Sequence, residues 1–197
     1  MATISVNPSS FENVSLGSVT NAQNGYTAQN STTYSSIYIP ARAAFGSHAY
    51  YYFDLSQISA SAITSIQISF RVKLSAAGPT LGFALEGGNS SVVLADDFAS
   101  EFTKTYTVDA SSLGDAILTN PRLKIYAIVG STKAVRALYF YGATLTITYE
   151  EGRAFSGNQN FGGAWEEMDS VWECYNGVWT ELVEGYECIN GVWQETN

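Results

Sequence analysis

From Ile63 to Leu74 the sequence ITSIQISFRVKL alternates strictly. Ile66, Ile68, Phe70, Val72 and Leu74 fall on one side, and Ser65, Gln67, Ser69, Arg71 and Lys73 on the other. A two-residue period sends neighbouring side chains to opposite faces of an extended chain, so the segment predicts a strand with one dry and one wet face. Comparable signals occur at TYSSIYI (33–39), AYYYFDL (49–55), LGFALEG (81–87), SVVLA (91–95), FTKTYTVD (102–109), RLKIYAIVG (122–130) and AVRALYFYGATLTITYE (134–150). GGNS suits a hairpin turn between the fourth and fifth of these eight segments, counted in chain order with 63–74 included. In the last, Ala143, Leu145, Ile147 and Tyr149 alternate with Thr144, Thr146, Thr148 and Glu150, and Gly142 is expected to bend or bulge the strand. One short helix is expected at 110–120, capped by Asp109 or Ser111 and stopped by Pro121.

Eight or nine strands with almost no helix predict an all-β fold: an antiparallel β-sandwich of jelly-roll type, with an immunoglobulin-like sandwich as the rival. The body has no cysteine, so no intersheet disulfide decides between them. In residues 1–33, Ile4, Val6, Phe11, Val14, Leu16 and Val19 are spaced loosely, which predicts an extended lead-in with one or two short strands. The organisation read from this is a lead-in (1–33), a sandwich (34–150), a glycine-rich linker (151–163) and a small β-repeat (164–197).

The repeat is the most distinctive stretch. FGGAWEE (161–167), YNGVWTE (175–181) and INGVWQE (189–195) align at a fourteen-residue period, making Trp165, Trp179 and Trp193 equivalent. Asn-Gly favours a two-residue type I′ hairpin turn. A meander is predicted, with strands near 171–175, 178–183, 186–189 and 192–195 and a turn at Glu184-Gly185. In it Cys174 faces Trp179 and Glu181 faces Cys188, and Trp172 and Tyr186 share a face with the tryptophans. The aromatic residues then serve as the small core of the repeat and as an assembly surface. The rival is a cage or platform for choline or sugars. Cys174 and Cys188 are expected to be free, packed thiols.

Charge changes the picture only at that end. Residues 151–197 hold nine acids against Arg153 alone, a net of −8, which leaves −1 for residues 1–150 out of the overall −9. Such a chain presents no basic footprint for nucleic acid and no polybasic anchor for a membrane. Its first residues, MATISVNPSSFENVSLG, have neither a basic start nor an apolar run, so no secretion signal is expected.

Candidate chemistry is sparse. His48, with Ser47 or Ser56 and Asp54, makes only a nominal triad outside any nucleophile-elbow pattern. Glu86, Asp96, Asp97 and Glu101 are the acids available for sugar hydrolysis, and the last three, in ADDFASEF (95–102), could also serve calcium, though without an EF-hand-like spacing. The expectation is no catalytic residue, no metal and no cofactor. Tyr50, Tyr52, Tyr139 and Tyr141 lie on predicted strands and are the candidates for binding a sugar.

The order AYYYFDLSQISASAITSIQISFRVKL, NPRLKIYAIVG, YFYGATLTITYE, closed by CYNGVWTE and CINGVWQE, resembles tail and appendage proteins of bacteriophages. Such repeats are commonly basic, and this one is acidic. The resemblance implies a non-enzymatic virion structural protein, in the tail, baseplate or a fibre. It also implies a product made in the host cytoplasm, trimeric or otherwise homo-oligomeric, and in contact with other virion proteins. The alternatives are a carbohydrate-binding adhesin that meets a host-surface glycan, or a capsid decoration or head-fibre protein.

Overall fold

In the computed structural model the described residues are 1–41, 43–58, 60–129, 135–151, 157–161, 164–168, 172–175, 178–181, 185–189 and 192–196, with the backbone path alone beyond 150. The chain divides into two units, Met1–Glu150 and Glu151–Asn197.

The first unit has eleven strands: β1 (Ala2–Val6), β2 (Pro8–Asn13), β3 (Val19–Thr20), β4 (Ser35–Ile39), β5 (His48–Phe53), β6 (Ala60–Leu74), β7 (Thr80–Gly87), β8 (Ser90–Phe98), β9 (Lys104–Asp109), β10 (Arg122–Val129) and β11 (Arg136–Glu151). They build two antiparallel sheets, one ordered β3-β4-β11-β6-β9 with β1 also paired to β11, the other β2-β5-β10-β7-β8. The fold is the predicted β-sandwich. Its core is the set of inward positions that alternation marked: Ile66, Ile68, Phe70, Val72 and Leu74 are fully buried, as are Leu138, Phe140, Ala143, Leu145 and Ile147. Each large apolar side chain removed from water contributes roughly 1.5–3 kcal/mol.

Residues 1–33 are not a lead-in standing before the sandwich. β1 pairs with β11 from Ala2↔Tyr149 to Val6↔Leu145, and β2 pairs with β5. The N-terminus thus supplies three strands, β1 and β3 to the six-stranded sheet and β2 to the other, where one or two were expected. The expected helix is a 3-10 segment, Ser111–Leu118, kinked at Gly114 (φ 52°). Asp109 does not cap it: its carboxylate accepts the Ser111 N–H at 2.9 Å, and the first helical residue follows Ala110.

Gly142 does interrupt β11. On its N-terminal side Leu138 and Phe140 point inward, and beyond it Ala143 and Leu145 do, so the alternation shifts by one residue there. Its φ of 123° suits glycine, and an added Cβ would lie 2.2 Å from the Thr27 carbonyl oxygen.

Among the described residues the second unit contains three two-stranded antiparallel sheets: β12 (Gly157–Phe161) with β13 (Ala164–Met168), β14 (Trp172–Tyr175) with β15 (Val178–Glu181), and β16 (Gly185–Ile189) with β17 (Val192–Thr196). Cys174 does oppose Trp179, but the meander is absent among the described residues. Glu181 opposes Trp172, and Cys188 opposes Trp193, not Glu181. The expected linker also includes a strand, because β12 pairs with β13 and sets Asn160 against Trp165. The Asn-Gly turns at 176–177 and 190–191, the turn residue Glu184, and the side chains that would share a face lie outside the described residues.

Candidate binding face

The four candidate tyrosines sit on opposite sides of the sandwich. Tyr50 and Tyr52 lie on β5, on the outer face of the five-stranded sheet, whereas Tyr139 and Tyr141 lie on β11, on the outer face of the six-stranded one. Between Tyr50 and Tyr52, Tyr51 points inward, fully buried, stacked on Phe140 at 4.2 Å and hydrogen-bonded to the Ser35 hydroxyl.

Segment 26–34 crosses the face that carries Tyr139 and Tyr141. Ala143 N–H donates to the Thr27 carbonyl at 3.0 Å, and the Thr27 hydroxyl donates to the Tyr141 carbonyl at 3.2 Å. Tyr34 packs on Tyr139 and Tyr141, with ring centroids 4.6 and 5.3 Å apart. The Arg71 guanidinium lies 4.3 Å over the Tyr141 ring and donates to the Ser31 carbonyl. These tyrosines hold a strap in place. The rest of that face is a hydroxyl ladder, with Thr3–Thr148, Ser5–Thr146 and Ser69–Thr107 paired at 3.1, 2.9 and 2.8 Å.

The five-stranded sheet presents three rows on its outer face. Register sets Gly82 beside Tyr126 and His48. It sets Val93, Ala84, Lys124, Tyr50 and Glu12 in a second row, and Ser91, Glu86, Arg122, Tyr52 and Ser10 in a third. Tyr126 lies over Gly82: a Cβ there would come within 2.2 Å of the ring's Cζ. Glycine therefore lets an aromatic ring rest against the backbone, where Tyr126 is half-buried with Lys124 Nζ 5.9 Å from its ring. A bulge places both Asp96 and Asp97 opposite Gly82, between the pairs Phe83↔Ala95 and Leu81↔Phe98.

The charges on this face are matched. The Glu86 carboxylate accepts from Arg122 Nε at 2.8 Å and lies 3.1 Å from Lys124 Nζ. Arg122 also lies 4.3 Å over the Tyr50 ring. His48 meets Tyr50 edge-on at 5.0 Å, and Tyr50 and Tyr52 are 5.9 Å apart, so the aromatic strip runs along β5. The Tyr52 hydroxyl donates to Glu12. Burial, then the neighbouring Asp96 charge, raises the Tyr126 hydroxyl above its ordinary range; burial, then Glu12, does the same for Tyr52. Both hydroxyls thus stay protonated donors at neutral pH.

The nominal triad does not assemble. His48 Nδ1 is bonded to the Gly46 carbonyl at 2.8 Å, and Asp54 accepts the Ser56 N–H at 2.9 Å. Among the described residues no three His, Cys, Asp or Glu side chains gather to hold a metal. Sequence reasoning missed Tyr126, although Arg122, Lys124 and Tyr126 alternate with Leu123 and Ile125. What singles it out is Gly82 on the neighbouring strand, a non-local fact.

No protein-family model matches the chain, and no curated protein does. Solved structures similar to it include a CBM4 module (15% identity, 71% of this chain and 93% of that one, TM-score 0.39) and the xylan-binding module CBM15 (14%, 76% and 98%, 0.39). Infectious bursal disease virus, Gx strain, is a third (14%, 60% and 33%, 0.33). The neighbours are thus β-sandwich carbohydrate-binding modules and a virus protein, and at these values nothing about ligand passes from them to this chain.

Proposed function

We propose that the protein is a non-catalytic binding module that holds a neutral saccharide on the outer face of its five-stranded sheet. The observation that carries this is Tyr126 laid on Gly82 in the row of His48, on the same outer face as the half-buried Tyr52. Sugar rings carry C–H groups on their faces and hydroxyls around their edges. An outward aromatic ring meets the first, and the Glu86–Arg122–Lys124 lattice offers donors and acceptors to the second. Because Glu86 already neutralises much of both cations, and Asp96, Asp97 and Glu12 border them, the face suits an uncharged chain better than an acidic one. Affinity electrophoresis tests this. Gels with soluble xylan, hydroxyethylcellulose, galactomannan or dextran should include at least one that retards the protein, and alginate should not. Tyr126→Ala should weaken the retardation, in line with an affinity about tenfold lower. Retardation by none of the neutral polymers would overturn the reading.

A second reading concerns the 151–197 unit and the virion role. Three hairpins repeat one register, and a lone two-stranded hairpin is marginal in water. In this reading Trp165, Trp172, Trp179, Tyr186 and Trp193 pack between copies, making the chain a trimeric appendage component that displays its sandwich. Light scattering on the full chain and on a chain ending at Glu150 separates the possibilities. An oligomer that becomes a monomer on truncation supports assembly, and monomers in both cases reject it.

A further inference from the structure

Of the seven exposed large apolar side chains among the described residues, Met1, Tyr34 and Val93 lie apart, and the other four gather at one end of the sandwich. His48↔Tyr126, Tyr126↔Gly82 and Leu81↔Phe98 place the start of β5, the end of β10, the start of β7 and the end of β8 at one end of the sandwich. Asn13↔Ala49 brings the end of β2 there too. In the other sheet, Val72↔Lys104 and the Ser75 N–H bond to the Ala137 carbonyl bring the end of β6 and the starts of β9 and β11 to the same end. Phe45 (81% exposed), Phe102 (72%), Val135 (56%) and Val14 (50%) all belong to connections at this end.

Phe45 and Phe102 flank the candidate binding face. Phe45 precedes β5 and Phe102 follows β8, with β10 and β7, hence Tyr126 and Gly82, between them. Three strand spacings separate β5 from β8, about 14 Å. Both connections are pinned. Gly46 (φ 80°) donates its N–H to the Ala127 carbonyl at 2.8 Å, Ser47 N–H donates to the Ala44 carbonyl at 3.0 Å, and His48 Nδ1 holds the Gly46 carbonyl. Phe102 N–H donates to the Ser100 hydroxyl at 3.0 Å, and Gly78 N–H donates to the Ala99 carbonyl at 3.4 Å. Rings kept in water on hydrogen-bonded turns at the two sides of the sheet's end are placed for contact rather than for the core.

We infer that the binding face continues off this end of the sheet between Phe45 and Phe102. Its ligand is then the interior of an oligosaccharide several units long, running along the strands past Tyr52, over the Arg122 and Lys124 side chains that cover the buried Tyr50, past Tyr126 and out between the two phenylalanines. This rests on the neutral-saccharide reading. The strip along β5 alone, four residue steps from His48 to Tyr52, spans roughly 14 Å, longer than one sugar ring. The phenylalanines would then supply the outermost stacking contacts.

The test is calorimetric titration with one-to-eight-unit fragments of whichever neutral polysaccharide retards the protein. Wild-type affinity should rise with chain length and then level off. The double variant Phe45→Ala/Phe102→Ala should bind the shortest bound fragment as wild type does and lose about tenfold for the longest. Unchanged thermal melting is expected, because both rings are exposed. A double variant with the wild-type length profile, or one equally weakened at every length, overturns the inference and leaves the sheet-face reading intact. Failure of every fragment to bind the wild type would remove both. Binding of the wild-type loop end to neutral phosphatidylcholine vesicles, lost in the double variant, would assign the rings to a lipid surface and overturn the inference as well.

Discussion

The two outer faces of the sandwich carry the same local signal and use it differently. Tyr50 and Tyr52 alternate on β5 as Tyr139 and Tyr141 alternate on β11. On the six-stranded sheet, segment 26–34 crosses the tyrosines and turns them into anchors, with Arg71 and Tyr34 completing the cluster. On the five-stranded sheet no backbone strap lies across the pair among the described residues; Tyr50 is instead buried beneath the side chains of Arg122, Lys124, His48 and Tyr52, and Tyr52 is half-buried. Their neighbours there are an ion-pair lattice and a ring resting on glycine. A tyrosine pattern shows that a strand face is amphipathic. What packs over it decides whether the face holds the protein together or holds something else.

Substitutions can break this contrast, and the largest effect should come at Gly142. Gly142→Ala puts a Cβ against the Thr27 carbonyl at a φ of 123°, so urea unfolding should show a loss on the order of 3 kcal/mol as the strap is displaced. Tyr141→Ala should cost about 2 kcal/mol by the same measurement, through lost ring packing with Tyr34 and Arg71, while saccharide affinity stays at the wild-type value. Tyr126→Ala should do the reverse: calorimetric affinity falls about tenfold and the melting temperature moves little. If Tyr141→Ala weakened binding as much as Tyr126→Ala, the division of roles would be wrong.

The smallest effect sharpens the contrast within one strand. Tyr51 lies between Tyr50 and Tyr52 but faces the core, and burial raises its hydroxyl well above the ordinary 10.0, with the Ser35 hydrogen bond offsetting part of that. The native state therefore favours the protonated form. Its contribution to stability is complete below pH about 10 and declines as the pH rises beyond that. Tyr51→Phe should cost about 1 kcal/mol at neutral pH, through the Ser35 bond, and should flatten the alkaline limb of a stability–pH curve followed by circular dichroism.

How much of this was legible in the sequence follows from the same contrast. Strand existence was readable wherever one face is buried and the other wet, as in Ile66 to Leu74, because local alternation encodes it. The N-terminal strands were harder. β2 is short, with Phe11 its main inward contact, and β1 shows only Ile4 and Val6 of its dry side. Their places come from partners more than a hundred residues away for β1, and about forty for β2. The candidate face was half legible. Tyr50 and Tyr52 stood out as a pair, while Tyr126 gains its role from Gly82, which joins it only through strand order. In the repeat, the Cys174–Trp179 register followed from the Asn-Gly spacing. Whether successive hairpins pair was not local information, and they form separate two-stranded sheets.

The most direct test of the central claim is amide chemical-shift mapping by NMR on the full chain as the retarding neutral oligosaccharide is added. Shifts confined to residues 48–52, 82–86 and 122–126, with 26–34 and 139–144 unmoved, are the predicted result. Shifts concentrated in 26–34 and 139–144 would contradict the account, because the strapped face would then be the one that binds.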